Sequence, residues 1–288
     1  MDILIVGILL GAAYSLMAMG LTLQYGVARI MNLANGEMLV AGAFGAFWVI
    51  TTQAVSPFWS AVVVVPAAFV LNWLIYRYLL TPLVRRAKNR GMLEVDCILA
   101  TFGMSFAMVG IMLMVFGGQF FSYSYLARPF LIFGSPFGLN RVVACVAAAA
   151  IGVALYWALN HTRQGMAMRA LAVDPQSAAL VAIDVPRLSA LAFAAGGAVT
   201  ATAGVLLSTF LTFDASIGVV FTLKALVIVI MGGVGDVRGA ILAAMLLGIA
   251  ETFVASVIDP GLTLAAAYLL FLLVLLFRPE GLLGRRTS

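Results

Sequence analysis

The stretch Ile3–Leu23, ILIVGILLGAAYSLMAMGLTL, carries no charged side chain and is long enough to cross a bilayer, which takes roughly 20 apolar residues. It lacks the strict apolar–polar alternation of an outer-membrane barrel strand. In lipid every backbone N–H and C=O must find a partner within the protein, so such a run is a helix. Runs of the same kind recur at Phe58–Leu79, Val95–Phe116, Val142–Leu159, Leu188–Phe210, Ala240–Val257 and Leu262–Phe277. Two more are irregular. Gly36–Thr52 follows a polar stretch, and Phe221–Met231 is short and ends in glycines. The pattern predicts an all-α, polytopic transmembrane helical bundle of about eight to nine membrane segments, two of them broken or re-entrant. Residues 1–288 are read as one integral membrane domain without a soluble appendage.

Composition agrees. Of 288 residues, 64% are hydrophobic and 9% charged, with a mean hydropathy of +1.15. A water-facing domain carries roughly 25% charged residues. Cys97 and Cys145 lie in apolar stretches and read as small hydrophobes, and His161 stands alone, so neither a disulfide framework nor a metal site is expected. The start Met1-Asp2-Ile3 lacks the basic region and cleavage site of a signal peptide, so its apolar run is expected to be retained.

Basic residues set the topology. Arg77, Arg85, Arg86, Lys88 and Arg90 cluster in one loop, Arg163, Arg169 and Arg187 in a second, and Arg278, Arg285 and Arg286 after the last span. The intervening loops carry or border only Arg128 and Arg141. The positive-inside rule makes the three basic regions cytoplasmic, which predicts a multi-pass bacterial inner-membrane protein with its N-terminus outside and its C-terminus in the cytoplasm. The net charge of +5 is then topological, and no nucleic-acid partner is implied.

The cytoplasmic loop 160–187 holds the string GMAMRALAVDPQSAALVAIDVPR from Gly165 to Arg187. Asp174 is a good N-cap and Pro175 a preferred first helical residue, so a short helix is expected from Pro175 to about Ala182. Asp184-Val185-Pro186 should stop it, and Ala178, Ala179 and Ala182 offer a surface that a neighbour can approach closely. Two readings stay open on these grounds: a docking element for a cytoplasmic partner, or an amphipathic connector whose arginines meet anionic lipid.

Asn32, Asn35 and Glu37 stand where the chain should be entering the membrane, beside Gly36. Polar groups at that depth usually face a bundle interior or a water-filled cavity. One reading is an interfacial loop in which Arg29 pairs with Glu37. The other is a discontinuous helix lining a translocation path. Gly232, Gly233, Gly235 and Gly239 make a corresponding interruption in the C-terminal half, where Gly235-Asp236 repeats the glycine–acid pair Gly36-Glu37, and paired interruptions of this kind point to a pathway at a repeat interface. Lys224 and Glu251 are further membrane-buried candidates, whereas Gly196-Gly197 and Ala201-x-x-Gly204 read as close helix packing.

Arg169-Ala170, Asp174, Ala178, Ile183 through Arg187, Phe193 and Ala203-Gly204 resemble the cytoplasmic signature of the branched-chain amino acid ABC permease family of LivH type. Upstream, Gly11 through Leu16, Gly20, Tyr25-Gly26-Val27, Asn32 through Glu37 and Gly42 are similar to that family's first helix and its N-x-A-H-G-E turn. Downstream, Met231 through Ala240, Gly248 through Glu251 and Arg278 through Gly284 resemble its glycine-rich turn, penultimate helix and tail. Asn35 stands where His is common, Asp236 where Ser is usual and Ala182 where Gly is common. The first two bear on solute identity.

The resemblance implies one permease subunit of an ATP-binding cassette importer for branched-chain or other small or hydrophobic amino acids. Partners would be a second homologous permease, two cytoplasmic ATPase subunits and a periplasmic solute-binding protein, with the bilayer around them. Arg169, Ala170, Asp174, Pro175, Ala178 and Arg187 would form the ATPase-coupling loop. Asn32, Asn35, Gly36, Glu37, Gly232, Gly233, Gly235 and Asp236 would line the pathway. The chain lacks a G-x-x-x-x-G-K-[ST] phosphate loop, so ATP hydrolysis is assigned to the partners, and neither an enzymatic role nor a bound cofactor is expected for this chain. The alternative is a stand-alone ion-coupled carrier using Glu37, Asp236 and Lys224. A membrane-embedded enzyme lacks the clustered His, Asp, Ser or metal ligands it would need.

Overall fold

A computed structural model describes residues 2–53, 56–86, 89–123, 125–126, 128–132, 135–180 and 183–284. Lys88, Ala182, Arg285 and Arg286 lie outside the described residues. The chain runs through α1 (Asp2–Leu23), α2 (Asn35–Gln53), α3 (Pro57–Ile75), α4 (Thr81–Arg86) and α5 (Arg90–Phe116). After α5 comes a small hairpin, β1 (Pro129–Ile132) and β2 (Ser135–Gly138). Then follow α6 (Leu139–His161), α7 (Arg163–Val173), α8 (Pro175–Leu180), α9 (Val185–Leu207), α10 (Gly218–Gly232), α11 (Val237–Val257) and α12 (Thr263–Phe277). Single π-helical turns extend α1 over Gln24–Ala28 and join α3 to α4 over Tyr76–Leu80.

Among the described residues, seven helices are long and apolar enough to cross a membrane, counting α3 to α4 as one. The two irregular segments of the sequence are α2 and α10, in keeping with the eight to nine segments expected. Polar residues in its first turn lower the hydropathy of α2. The 15 residues of α10 span only about 22 Å, short of the roughly 30 Å of a hydrocarbon core.

Lipid chains are as apolar as Leu, so burial of hydrocarbon does not drive these helices together; close backbone approach and interhelical hydrogen bonds must. The α1–α11 seam shows how. A Cβ on Gly7 would sit 2.6 Å from the Ile249 Cα, one on Gly11 2.8 Å from the Met245 Cα, and one on Gly248 2.5 Å from the Gly11 nitrogen. These pairs run in opposite order along the two helices, so α1 and α11 are antiparallel. A second seam sets Gly20 of α1 against Gly196 and Thr200 of α9, and a third sets Gly204 of α9 against the Leu39 backbone of α2. Helices α1 and α9 form the buried centre, and α5, α6 and α12 are peripheral with broad exposed apolar faces.

Within the centre lies a closed ionic cluster. Glu251 Oε2 accepts from Lys224 Nζ at 2.8 Å and from the Tyr14 hydroxyl at 2.9 Å, and Lys224 also donates to the Tyr14 oxygen at 2.9 Å. All three are buried. Lys224 does not snorkel outward; it ties α10 to α1 and α11.

Both ends of the bundle are defined by packing. At one, Ile30, Tyr76, Leu80, Cys97, Ala190 and Phe193 gather the break after α1 with the start of α5 and α9. At the other, Phe121 and Phe213 pair through their backbones, and Asn140 donates to the Thr209 carbonyl at 3.0 Å. The first is the basic end, where Arg85, Arg86, Arg163, Arg169 and Arg187 are exposed.

Candidate translocation site

The break between α1 and α2 leaves backbone groups that a continuous helix would have paired; side chains of α5 and α10 and of Asn32 itself supply partners, while Gln24 and α9 hold the two asparagine side chains. Asn32 Oδ1 accepts from the Ala34 N–H at 3.0 Å, and its Nδ2 donates to Gln24 Oε1 at 3.0 Å. Gln24 in turn donates to the Phe193 carbonyl on α9 at 3.1 Å. The Leu33 N–H donates to Thr101 Oγ1 on α5 at 3.2 Å. On α10, Thr222 Oγ1 accepts from the Gly36 N–H at 2.8 Å and donates to the Leu33 carbonyl at 3.2 Å. Asn35 Oδ1 accepts from Thr200 Oγ1 on α9 at 2.9 Å.

Glu37 is not paired with Arg29. Its Oε1 accepts from Ser105 Oγ on α5 at 3.1 Å, and its carboxylate packs on Gly218, the first residue of α10. Asn32, Asn35 and Glu37 are all 0% exposed. Two of their atoms, Asn35 Nδ2 and Glu37 Oε2, find no hydrogen-bond partner among the described residues. The first turns of α2 and α10 pass side by side here, their chains running in opposite directions. Two helix N-termini with their positive dipole ends therefore meet at the Glu37 carboxylate, which favours an anion at that point. Gly36 allows the contact: a Cβ there would lie 2.6 Å from the Thr222 nitrogen and collide with the Gly218 carbonyl oxygen.

The second interruption lies at the basic end and has a different construction. Gly233 (φ +106°) and Gly235 (φ +85°) make a turn that only glycine takes without strain. Asp236 caps α11, its Oδ1 accepting from the Arg238 N–H at 2.8 Å and the Gly239 N–H at 3.2 Å. The segment after α12 closes over this turn: Leu282 N–H donates to the Met231 carbonyl at 2.8 Å and Leu283 N–H to the Gly232 carbonyl at 3.1 Å. The glycine-rich turn and the Arg278–Gly284 segment are thus two halves of one clasp. The interruptions also approach each other, since a Cβ on Gly26 would lie 3.4 Å from the Gly235 Cα. An apolar crevice lined by Leu21, Tyr25, Met31, Leu226, Ile230 and Val234 runs between them.

The loop 160–187 holds two helices where the sequence suggested one. Thr162 Oγ1 caps α7 by accepting from the Gly165 N–H at 3.0 Å, and Gly165 lets α7 fold back on Ala158 and Leu159 of α6. Arg169 and Ala170 lie on α7, and Asp174 stands at the α7–α8 corner, accepting from Ser177 Oγ at 2.5 Å. Pro175 starts α8, which is described to Leu180. Asp184 caps α9 rather than merely ending α8, accepting from the Arg187 N–H at 3.1 Å. Ala178 turns inward and packs with Leu23, Val27, Met168, Leu171 and Ala192. The outward side carries Arg163, Arg169 and Arg187 with Val173 and Leu180, the last 87% exposed.

Thr101, Ser105, Thr200, Thr222 and Gln24 were not singled out in the sequence. Thr101 and Ser105, one helical turn apart on an otherwise apolar span, are the signal that could have marked one face of α5 as turned toward polar groups.

Comparison with known proteins fits this architecture. Residues 3–278 match the model of the family described as "Branched-chain amino acid transport system / permease component". The chain is 31% identical to the high-affinity branched-chain amino acid transport permease BraD of Pseudomonas aeruginosa, over 98% of this chain and 95% of that one. It is 29% identical to the corresponding LivH permeases of Salmonella typhimurium and Escherichia coli K12, over 97% of this chain and 94% of each. Among solved structures, PsaBC from Streptococcus pneumoniae in complex with Fab shares the fold, with a TM-score of 0.50 at 10% identity over 97% of this chain and 93% of that one. With a match along nearly its whole length and a helical bundle to go with it, this chain belongs to the branched-chain amino acid transport permease family, as a membrane-spanning permease component.

Proposed function

We propose that this chain is one of two homologous membrane subunits of an ATP-driven importer that takes up branched-chain or other small hydrophobic amino acids. It receives solute from a periplasmic binding protein and is powered by two cytoplasmic ATPase subunits docked on α7 and α8. The basic end faces the cytoplasm and the N-terminus lies outside. Solute passes beside the start of α2, where Asn32, Asn35, Gly36 and Glu37 meet the first turn of α10. The Gly232–Asp236 turn lies at the cytoplasmic end of the same route.

One observation carries the docking assignment. The elbow of α7 and α8 projects exposed Val173 and Leu180 among Arg163, Arg169 and Arg187, while its inner side is packed onto α1 and α9. An apolar edge ringed by cations and seated on the bundle centre suits a protein partner that must act on that centre. The ion-coupled alternative draws on Lys224, which is already neutralised by Glu251.

The deciding measurement is uptake into liposomes. Together with its second permease, ATPases and loaded binding protein, the chain should accumulate leucine-type amino acids when ATP is supplied, and alone it should accumulate none under a proton or sodium gradient. Gradient-driven uptake by the purified chain alone would overturn the reading. Asp174→Ala should loosen the elbow by about 1 kcal/mol, the usual worth of a helix cap. It should lower solute-stimulated ATP hydrolysis and leave solute binding to the binding protein unchanged. Unaltered stimulation would remove the elbow from the coupling role.

A further inference from the structure

Arg29 closes the π-helical turn that ends α1. Its N–H donates to the Tyr25 carbonyl at 2.9 Å, and its backbone is left-handed, at φ +55°. A non-glycine residue takes that conformation only when its surroundings hold it there. The surroundings are visible. The Arg29 guanidinium donates to the Ala172 carbonyl at 3.1 Å and the Val173 carbonyl at 3.2 Å, the last two residues of α7. Those carbonyls are the unpaired, partially negative end of the helix, where a cation makes charge-assisted bonds. Among the described residues, these are the hydrogen bonds that join α7 to the end of α1.

From Arg29 the chain reaches the break within three residues. Ile30 is buried against Tyr76, Leu80 and Phe193, and Asn32 is tied through Gln24 to α9. In addition, Leu23 and Val27 at the end of α1 pack with Met168 and Leu171 of α7. A shift of α7 therefore cannot leave Arg29 where it is, and a shift of Arg29 acts on a segment fixed on its far side by Asn32, Asn35 and Gly36.

We propose that Arg29 is the strut that carries movement of the α7–α8 elbow into the broken segment before α2. It is a positioning residue and does not touch solute. The proposal rests on the reading that ATPases dock on α7 and α8.

The test uses the assembled transporter in liposomes, with Arg29→Gln and Arg29→Lys beside the parent. Arg29→Gln should keep its ATPases bound and its basal hydrolysis, while solute taken up per ATP falls at least about tenfold and stimulation by loaded binding protein disappears. Arg29→Lys should fall between, because a point charge reaches the carbonyls without the fork of a guanidinium. Spin labels at the exposed positions Met166 on α7 and Trp48 on α2 read the movement directly. Their separation should change on ATP binding in the parent and stay fixed in Arg29→Gln. Unchanged uptake per ATP, or a label response that survives the substitution, overturns the strut. If Arg29→Gln does not assemble, the labels in Arg29→Lys decide, and a full parental response there with undiminished coupling counts against the guanidinium. ATPases that fail to bind the parent chain would instead refute the docking assignment.

Discussion

Lys224→Met should cost about 3–5 kcal/mol of stability, because it leaves the Glu251 carboxylate buried without its counter-charge. Glu251 Oε2 takes both of the cluster's donors, and among the described residues Glu251 Oε1 has no partner even with Lys224 in place. Removing the ammonium leaves one neutral phenol to compensate a charge inside the bundle. Glu251→Leu alone should be comparably harmful, since it strands the ammonium. The combined Lys224→Met, Glu251→Leu and Tyr14→Phe variant removes all three polar groups together and should regain most of the loss, as an apolar replacement of a buried ion pair is often neutral or better. Thermal denaturation of the detergent-solubilised chain measures all of these. Equal damage from the single and triple variants would show that shape, and not charge, is what the cluster contributes.

Gly36→Ala should be nearly as damaging, for a steric reason. The added methyl would meet the Gly218 carbonyl, the Thr222 nitrogen and the Thr222 hydroxyl. Two of these are backbone atoms of α10 and cannot rotate away, so α10 must withdraw from α2. Overpacking of this kind costs typically 1–3 kcal/mol. Withdrawal also breaks the Gly36–Thr222 hydrogen bond, leaving a buried N–H unpaired at a further cost of about 1–3 kcal/mol. The matched controls are Gly103→Ala and Gly110→Ala on α5, where the added methyl would have nothing within 4 Å. They should leave the melting temperature and transport unchanged. Gly36→Ala should lower the first by several degrees and abolish the second. A Gly36→Ala variant as stable and active as the α5 controls would mean that the α2–α10 contact is loose in the working protein.

The membrane class and the nine apolar segments were legible because each is a property of consecutive residues. The short α10 and the polar start of α2 were legible for the same reason. Pairings across the chain were not. Arg29 and Glu37 are near in sequence and opposite in charge, yet they separate: Arg29 finds helix-end carbonyls on α7, and Glu37 finds Ser105 and the start of α10. Thr222 lies far along the chain from Gly36, and no local pattern links the two. Helix α7 escaped notice because its 11 residues are mixed in polarity and its cap, Thr162, follows directly on α6. The glycines at 232–235 are legible as a break in the chain, and a turn and a pathway ask for the same small residues. The bonds from Leu282 and Leu283, distant in sequence, were not legible there.

That clasp has a consequence for how the molecule is made. The C-terminal carbonyls of α10 wait for N–H groups that leave the ribosome a whole helical hairpin later, after α11 and α12 have been synthesised. Until Leu282 and Leu283 arrive, the turn must borrow water or remain unsatisfied at the membrane surface. A nascent or truncated chain lacking these residues therefore presents an open polar seam that the finished chain does not. The clasp acts as a seal of completion: the end of α10 has these backbone partners only once the segment after α12 is in place.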